Sequence, residues 1–219
     1  MHATKHQTVS LDQAVEHLKT GKAFTPRTYV MTFDDGYRSV YEEAFPLISD
    51  LHLTATIFLS VDREGGATER LPSLSGRAML SWDEIREMAR YGITFGAHTL
   101  THPDLRTLVS SRVEEEIVGS KDILEQALGC RVSSFAYPFG RYDATSHAAA
   151  RAHFACACSD RLGLMGHRSD PYALERVDMY YLRNVKLFGL VQTGLFPWYI
   201  LIRRIPREIR RAVLNRRPR

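Results

Sequence analysis

Hydrophobic residues along the chain follow two spacings, one typical of strands and one typical of helices. Short apolar runs containing β-branched and aromatic residues indicate buried strands; they lie at residues 29–33, 54–60, 93–97, 132–137, 154–158 and 174–179. Between them, apolar residues recur every three or four positions, which predicts amphipathic helices. Strands that alternate with helices in this way form parallel βα units.

The helices are predicted from their spacing and from signals at their ends. Helical spacing marks residues 39–51, and a run rich in alanine predicts a short helix over residues 144–152. Two further helices each show a capping box at the start and a glycine stop at the end: Ser81 with Glu84 and Gly92, and Ser111 with Glu114 and Gly129. Four helices between six strands fit one α/β domain.

Polar residues able to carry chemistry repeatedly follow the predicted strands. In a βα barrel the active site lies at the carboxyl ends of the strands. We therefore predict an α/β barrel, and an open doubly wound sheet is the alternative. The candidate segments are Asp34-Asp35-Gly36, His98 with His102, and Tyr137-Pro138-Phe139-Gly140.

Each of these segments alone has an ordinary explanation as a turn or loop. Together they suggest a metal site, because two imidazoles and one carboxylate suit zinc or a similar divalent ion and leave positions for water and substrate. A second carboxylate beside the ligand carboxylate can take a proton from that water. The combination indicates a metal-dependent hydrolase.

Three motifs resemble a known family. The segments TFDDGY (32–37), HTLTHP (98–103) and FAYPFG (135–140) are similar to the first three motifs of the polysaccharide deacetylases. This family is also called the NodB homology or carbohydrate esterase family 4 group, and its exopolysaccharide-biosynthesis branch is the most similar. The resemblance runs from about residue 8 to residue 180. It implies a distorted (β/α)7 barrel in a single domain that removes N-acetyl groups from a polysaccharide or oligosaccharide.

The resemblance also implies roles for individual residues. Asp34 would be the general base acting on a metal-bound water, the nucleophile. The divalent ion, expected to be zinc, would be held by Asp35, His98 and His102. The groove and the oxyanion donors would come from the third motif, at Tyr137, Pro138 and Phe139.

The chain departs from the family pattern at two places. Ala136 stands where the third motif usually carries an arginine that orients the base, so we expect Asp34 to be held differently. No leucine-histidine motif follows residue 141 to supply an acid, so we expect weak turnover of acetamides. Two rival interpretations stay open: a catalytically impaired carbohydrate-binding relic, and a metal hydrolase of another amide or ester.

Charge is distributed unevenly along the chain. Residues 203–219 hold eight arginines and one glutamate (+7), whereas residues 1–202 carry 21 basic and 24 acidic side chains (−3). A nearly neutral body argues against nucleic acid as a partner.

We divide the chain into a leading segment (1–26), a deacetylase-like domain (27–186) and an apolar, then arginine-rich tail (187–219). The tail predicts either peripheral contact with anionic lipid or a helix packed on the barrel.

The cysteines and the N-terminus give no indication of export. Cys130, Cys156 and Cys158 give no disulfide framework. The last two alternate along a strand, so we interpret them as small apolar residues on one face, with a metal-binding pair as the alternative. The N-terminus has no apolar signal-peptide region, and no run reaches the roughly 18–20 apolar residues that span a bilayer. We expect a cytoplasmic or membrane-peripheral protein.

Overall fold

Strands and helices alternate through the part of the chain that the computed structural model describes, which is residues 7–25, 28–62, 71, 74 and 76–215. The strands are β1 (Gln7–Thr8), β2 (Thr28–Tyr29), β3 (Thr32–Phe33), β4 (Thr56–Leu59), β5 (Thr94–Ala97), β6 (Ser134–Ala136), β7 (Cys156–Leu162) and β8 (Leu174–Arg176). The helices are α1 (Leu11–Thr20), α2 (Phe45–Asp50), α3 (Trp82–Arg90), α4 (Ser110–Leu128), α5 (Ala144–His153), α6 (Val185–Gly189) and α7 (Phe196–Asn215).

The main sheet has six parallel strands in simple chain order, from β3 to β8. Each strand pairs with the next one along the chain, as Ile57 pairs with Phe95 between β4 and β5. The sheet curls so far that Arg176 at the end of β8 donates a hydrogen bond to Thr32 Oγ1 on β3 at 3.4 Å. An unreversed order is that of a βα barrel. The barrel prediction is confirmed, and the doubly wound alternative is wrong.

Side chains alternate between two cores on opposite faces of this sheet, as strand geometry requires. The larger core lies beneath α2 to α5 and takes Ile57, Leu59, Phe135, Tyr137 and Ala157 from the strands. A smaller core on the other face contains Phe58, Ala136, Cys156, Cys158 and Leu174, together with Leu11 and Val15 of α1. The two cysteines of β7 are therefore buried on one face among apolar side chains, as their alternation predicted.

The elements β1, α1 and β2 form a βαβ unit that the hydrophobic spacing did not predict. β1 pairs in parallel with β2. Ser10 Oγ accepts from the Gln13 amide at 3.1 Å, and the Ser10 amide donates to Gln13 Oε1 at 3.0 Å, which makes a capping box at the start of α1. The predicted strand 29–33 is in fact two short strands, because β2 pairs with β1 whereas β3 begins the main sheet.

One of the two predicted capping boxes is confirmed and the other is wrong. Ser81 and Glu84 exchange both hydrogen bonds at the start of α3. Ser111 and Glu114 do not, because α4 already begins at Ser110 and its N-cap residue has no side-chain hydrogen bond. Glu114 instead contacts the His153 ring on α5.

The C-terminal tail folds as α6 and α7. Among the side chains of α7 that the structure describes, Ile200 is buried, whereas Trp198, Leu201, Ile202 and Ile205 are exposed. Among the residues that the structure describes, no helix combines the length and the apolar character needed to cross a membrane.

Candidate active site

A sharp turn directly after β3 separates the two neighbouring carboxylates. Asp35 has φ of 73° and Gly36 of 80°, in a left-handed region that residues with a side chain seldom adopt. A Cβ at Gly36 would lie 2.7 Å from Leu71 Cδ1 and 2.8 Å from Leu59 Cδ2. The positive φ therefore favours glycine at this turn, and the turn lets Asp34 and Asp35 reach different partners.

Asp35 faces the two histidines of the second motif. Its Oδ1 atom lies 3.3 Å from His98 Nε2 and 3.3 Å from His102 Nε2. One carboxylate oxygen and two imidazole nitrogens thus lie within 4.8 Å of one another. Burial alone would raise the pKa of Asp35, but its polar contacts with the His102 and His98 rings outweigh burial and hold that pKa well below its ordinary value.

The orientation of His98 indicates which kind of ligand these three atoms suit. The ring is buried, and its Nδ1 lies 2.7 Å from the Ala136 carbonyl oxygen. A carbonyl can only accept, so Nδ1 carries a proton, and in the neutral ring Nε2 presents a lone pair. A lone pair that faces the carboxylate of Asp35 is favourable only with a proton or a cation between them. The donor set and its orientation fit a divalent cation.

A buried glutamate of α4 supports the loop that carries both histidines. Glu116 Oε2 accepts from the amides of Leu100 at 3.0 Å and Thr101 at 2.9 Å, and its Oε1 accepts from Thr101 Oγ1 at 2.8 Å. The loop needs this support because Thr99 and His102 both have positive φ, at 70° and 56°. Strained residues of this kind persist only where surrounding contacts hold them.

Asp34 has a different partner, an arginine from the last strand of the sheet. Arg176 Nη1 donates to Asp34 Oδ1 at 2.7 Å, and Nη2 donates to Oδ2 at 2.9 Å. Arg176 Nε donates to the Ser159 carbonyl at 3.0 Å, which fixes the plane of the guanidinium. Burial alone would raise the pKa of Asp34, but the charge and hydrogen bonds of Arg176 outweigh it, so the pKa is lowered. Asp34 is therefore ionised at neutral pH.

Arg176 explains how the chain tolerates Ala136 in its third motif. Leu174 of β8 lies in the smaller core with Ala136, so Arg176, two residues further on, faces the same side of the sheet. From there it reaches Asp34 in place of an arginine on β6.

No role was predicted from the sequence for Arg176 or for Glu116, although both carried a signal. Arg176 is the one basic residue of the predicted strand 174–179. Glu116 sits on the apolar face of α4, next to Ile117 and three positions after Val113.

The residues of the third motif divide between the hydrophobic core and the outer edge of the candidate site, here called the site mouth. The Tyr137 side chain is fully buried, its hydroxyl donates to the Tyr172 carbonyl at 2.9 Å, and burial raises its pKa. Phe139 has φ of 57° and is 55% exposed, and its ring centroid lies 4.8 Å from that of His102. Pro138 between them is buried. Phe139 therefore borders His102, whereas the Tyr137 side chain belongs to the core.

Two histidines after residue 141 have carboxylate partners outside the site. His147 Nε2 lies 2.8 Å from Asp170 Oδ2 on a partly exposed surface. His153 pairs in the same way with Glu114 of α4. Neither is among the groups around Asp34 and Asp35 described above.

Comparison with known proteins adds independent support. A family model described as polysaccharide deacetylase matches residues 21–155. YxkH of Bacillus subtilis (strain 168), whose name places it among polysaccharide deacetylases, is 27% identical over 178 residues, covering 81% of this chain and 60% of its own length. The poly-beta-1,6-N-acetyl-D-glucosamine N-deacetylase of Staphylococcus epidermidis is 27% identical over 144 residues, covering 60% of this chain and 47% of its own. The chain thus spans about half to three fifths of these curated relatives.

Two solved structures are similar in fold. IcaB from Ammonifex degensii superposes with a TM-score of 0.69 at 23% identity, covering 85% of this chain and 82% of that one. The deacetylase PplD from Streptococcus pyogenes, solved with acetate, gives 0.69 at 24% identity, covering 78% and 72%.

Proposed function

This chain belongs to the polysaccharide deacetylase family, and we propose that it is a metal-dependent hydrolase that removes N-acetyl groups from an N-acetylated glycan. The observation that carries the proposal is the separation of two adjacent carboxylates. Asp35 faces His98 and His102, whereas Asp34 is clamped by Arg176. One carboxylate can then hold a cation while its neighbour moves a proton.

We assign Asp35, His98 and His102 as the protein ligands of a divalent cation. Zinc suits two imidazoles and one carboxylate with open positions. When bound, the ion would supply a Lewis acid for the amide carbonyl and for a water molecule. The Ala136 carbonyl holds the Nδ1 proton of His98, which leaves Nε2 as the ligand atom.

Asp34 is assigned as the base that takes a proton from the attacking water. A carboxylate that stays ionised is ready to accept this proton, and the bidentate contact with Arg176 fixes where its oxygens lie. The developing oxyanion needs a preorganised donor. The Tyr137 amide already donates to the Cys158 carbonyl at 3.1 Å, and Pro138 has no N–H. Of the third motif's predicted residues, Phe139 therefore offers the candidate amide.

Acetate release tests this function directly. The name of the Staphylococcus epidermidis relative makes β-1,6-linked N-acetylglucosamine oligomers the first substrate to try, followed by oligomers of other linkages. We expect the zinc-loaded protein to release acetate and the chelator-treated protein to release none. As a control for the effect of removing a carboxylate, Asp83→Asn, at a highly exposed side chain on α3, should leave the rate unchanged. A zinc-saturated protein that released no acetate from any N-acetylated glycan would contradict the proposal.

A carbohydrate-binding relic is the second candidate, because His147 and His153 are paired elsewhere and amine departure needs a proton donor. An aryl acetate ester separates the possibilities, since its leaving group departs without protonation. Metal-dependent ester cleavage with feeble acetamide turnover would identify an enzyme short of an acid. Oligosaccharide binding with neither reaction would identify a relic.

A further inference from the structure

The helix α7 presents its apolar side away from the body of the protein. Trp198, Leu201, Ile202 and Ile205, here named the outer stripe, are 65%, 47%, 64% and 50% exposed. Their spacing of three, four and seven positions places them on one face of the helix. A helix that packs on a soluble body normally shows the reverse, with its apolar face inward.

Polar contacts on the other side of α7 hold it in this orientation. Tyr199 Oη donates to the Tyr181 carbonyl at 2.8 Å. Arg207 Nη1 donates to Tyr181 Oη at 2.9 Å, and Arg207 Nη2 lies 3.6 Å from Asp160 Oδ2. Ile200 is 3% exposed and packs inward between these contacts. The outer stripe is therefore outward because the helix is anchored by its opposite face.

Charge indicates what covers the outer stripe. The last seventeen residues carry eight arginines and one glutamate, +7 in all, while the rest of the chain is −3. A second copy docked on the outer stripe would bring its own +7 segment beside the first, so self-association through α7 is electrostatically opposed. An anionic lipid surface offers both opposite charge and an apolar layer. Tryptophan at the start of the stripe suits the boundary between headgroups and acyl chains.

We propose that α7 is an interfacial helix whose outer stripe inserts into the surface of an anionic bilayer. The helix is joined to the site mouth through Asp160. A Cβ at Gly140, the residue after Phe139, would lie only 2.1 Å from Asp160 Cβ, and Asp160 contacts Arg207 of α7. Docking through α7 brings the carboxyl edge of β7, and with it the third motif, towards the membrane surface.

Vesicle sedimentation of the full chain tests this inference. We expect the protein to pellet with vesicles of phosphatidylcholine and phosphatidylglycerol in equal amounts, and far less with phosphatidylcholine alone. Trp198→Glu with Ile202→Glu should lower the binding constant about a hundredfold, because two apolar side chains no longer insert. Arg210→Gln with Arg211→Gln should lower it about thirtyfold, and more salt should weaken the wild type.

The matched control is Leu47→Glu with Leu51→Glu on and beside α2, at residues that are 63% and 65% exposed. These changes should leave vesicle binding unchanged, and circular dichroism should show that every variant is folded. Wild type and the Trp198/Ile202 variant pelleting alike on the mixed vesicles would overturn the proposal. So would a dimer in sedimentation velocity that the same variant dissolves, in a protein that does not bind vesicles.

Discussion

The two halves of the candidate site are assembled over very different distances in sequence. The ligand half (Asp35, His98, His102) takes both histidines from one short loop after β5, close enough for one buried glutamate to brace that loop. The base half joins Asp34, at the end of the first strand of the main sheet, to Arg176 on the last, 142 positions later. The closeness of the two histidines is a property of local sequence. A base and its arginine meet only because the sheet curls until its edges approach.

Removing a ligand should have the largest effect. We expect His98→Ala to lose the metal ion, because two protein ligands do not hold an open site, and to lower acetate release by more than about 10⁴-fold. Elemental analysis and acetate release measure the two effects. His147→Ala, which removes a histidine paired with Asp170, should change neither. Full metal occupancy in the His98 variant would disprove the ligand assignment.

Changing the base should separate the two halves. Asp34→Asn keeps the shape of the side chain but removes the proton acceptor, so the rate should fall roughly 10²–10⁴-fold. Bound metal should stay at the wild-type level, because Asp34 is assigned no ligand role. A variant as fast as the wild type would place the base elsewhere.

The arginine contact should have a smaller effect that falls on kcat. Arg176→Lys retains the charge but cannot make the two parallel hydrogen bonds to Asp34, so we expect kcat to fall about 10- to 100-fold with KM little changed. Metal content should be unaffected. The control is Arg112→Lys on α4, where the arginine pairs with exposed Glu115. An equal loss in both variants, or a change confined to KM, would argue against a role in orienting the base.

Loss of the buried glutamate should be the mildest change and should act on the ligand half alone. Glu116→Ala leaves the amides of Leu100 and Thr101 without their acceptor, which costs roughly 1–3 kcal/mol of stability. Zinc affinity should fall about tenfold, because the histidine loop is less well fixed. Thermal unfolding and chelator competition measure these quantities. Glu115→Ala, its exposed neighbour, should alter neither, and an unchanged zinc affinity in the Glu116 variant would remove its supporting role.

Local sequence was sufficient for features that depend on nearby residues. The parallel βα order and the capping box at Ser81 were predicted from local patterns, and the structure agrees. The set of Asp35, His98 and His102 was implied by the family resemblance, and the structure brings these three side chains together. Two helix starts were predicted wrongly or not at all. α4 begins one residue before Ser111, which removes that capping box. The capping box of α1 uses Gln13 rather than glutamate.

The sequence by itself determined the three motifs and therefore which atoms are able to bind a cation and move a proton. Only the tertiary structure decided that Arg176 holds Asp34, that Glu116 braces the histidine loop, and that the outer stripe of α7 faces outward. The physical reason is common to all three. Strand alternation and helical spacing show on which face of a strand or helix a side chain lies. Which distant group that side chain meets depends on how far the sheet curls and on how the helices pack against it.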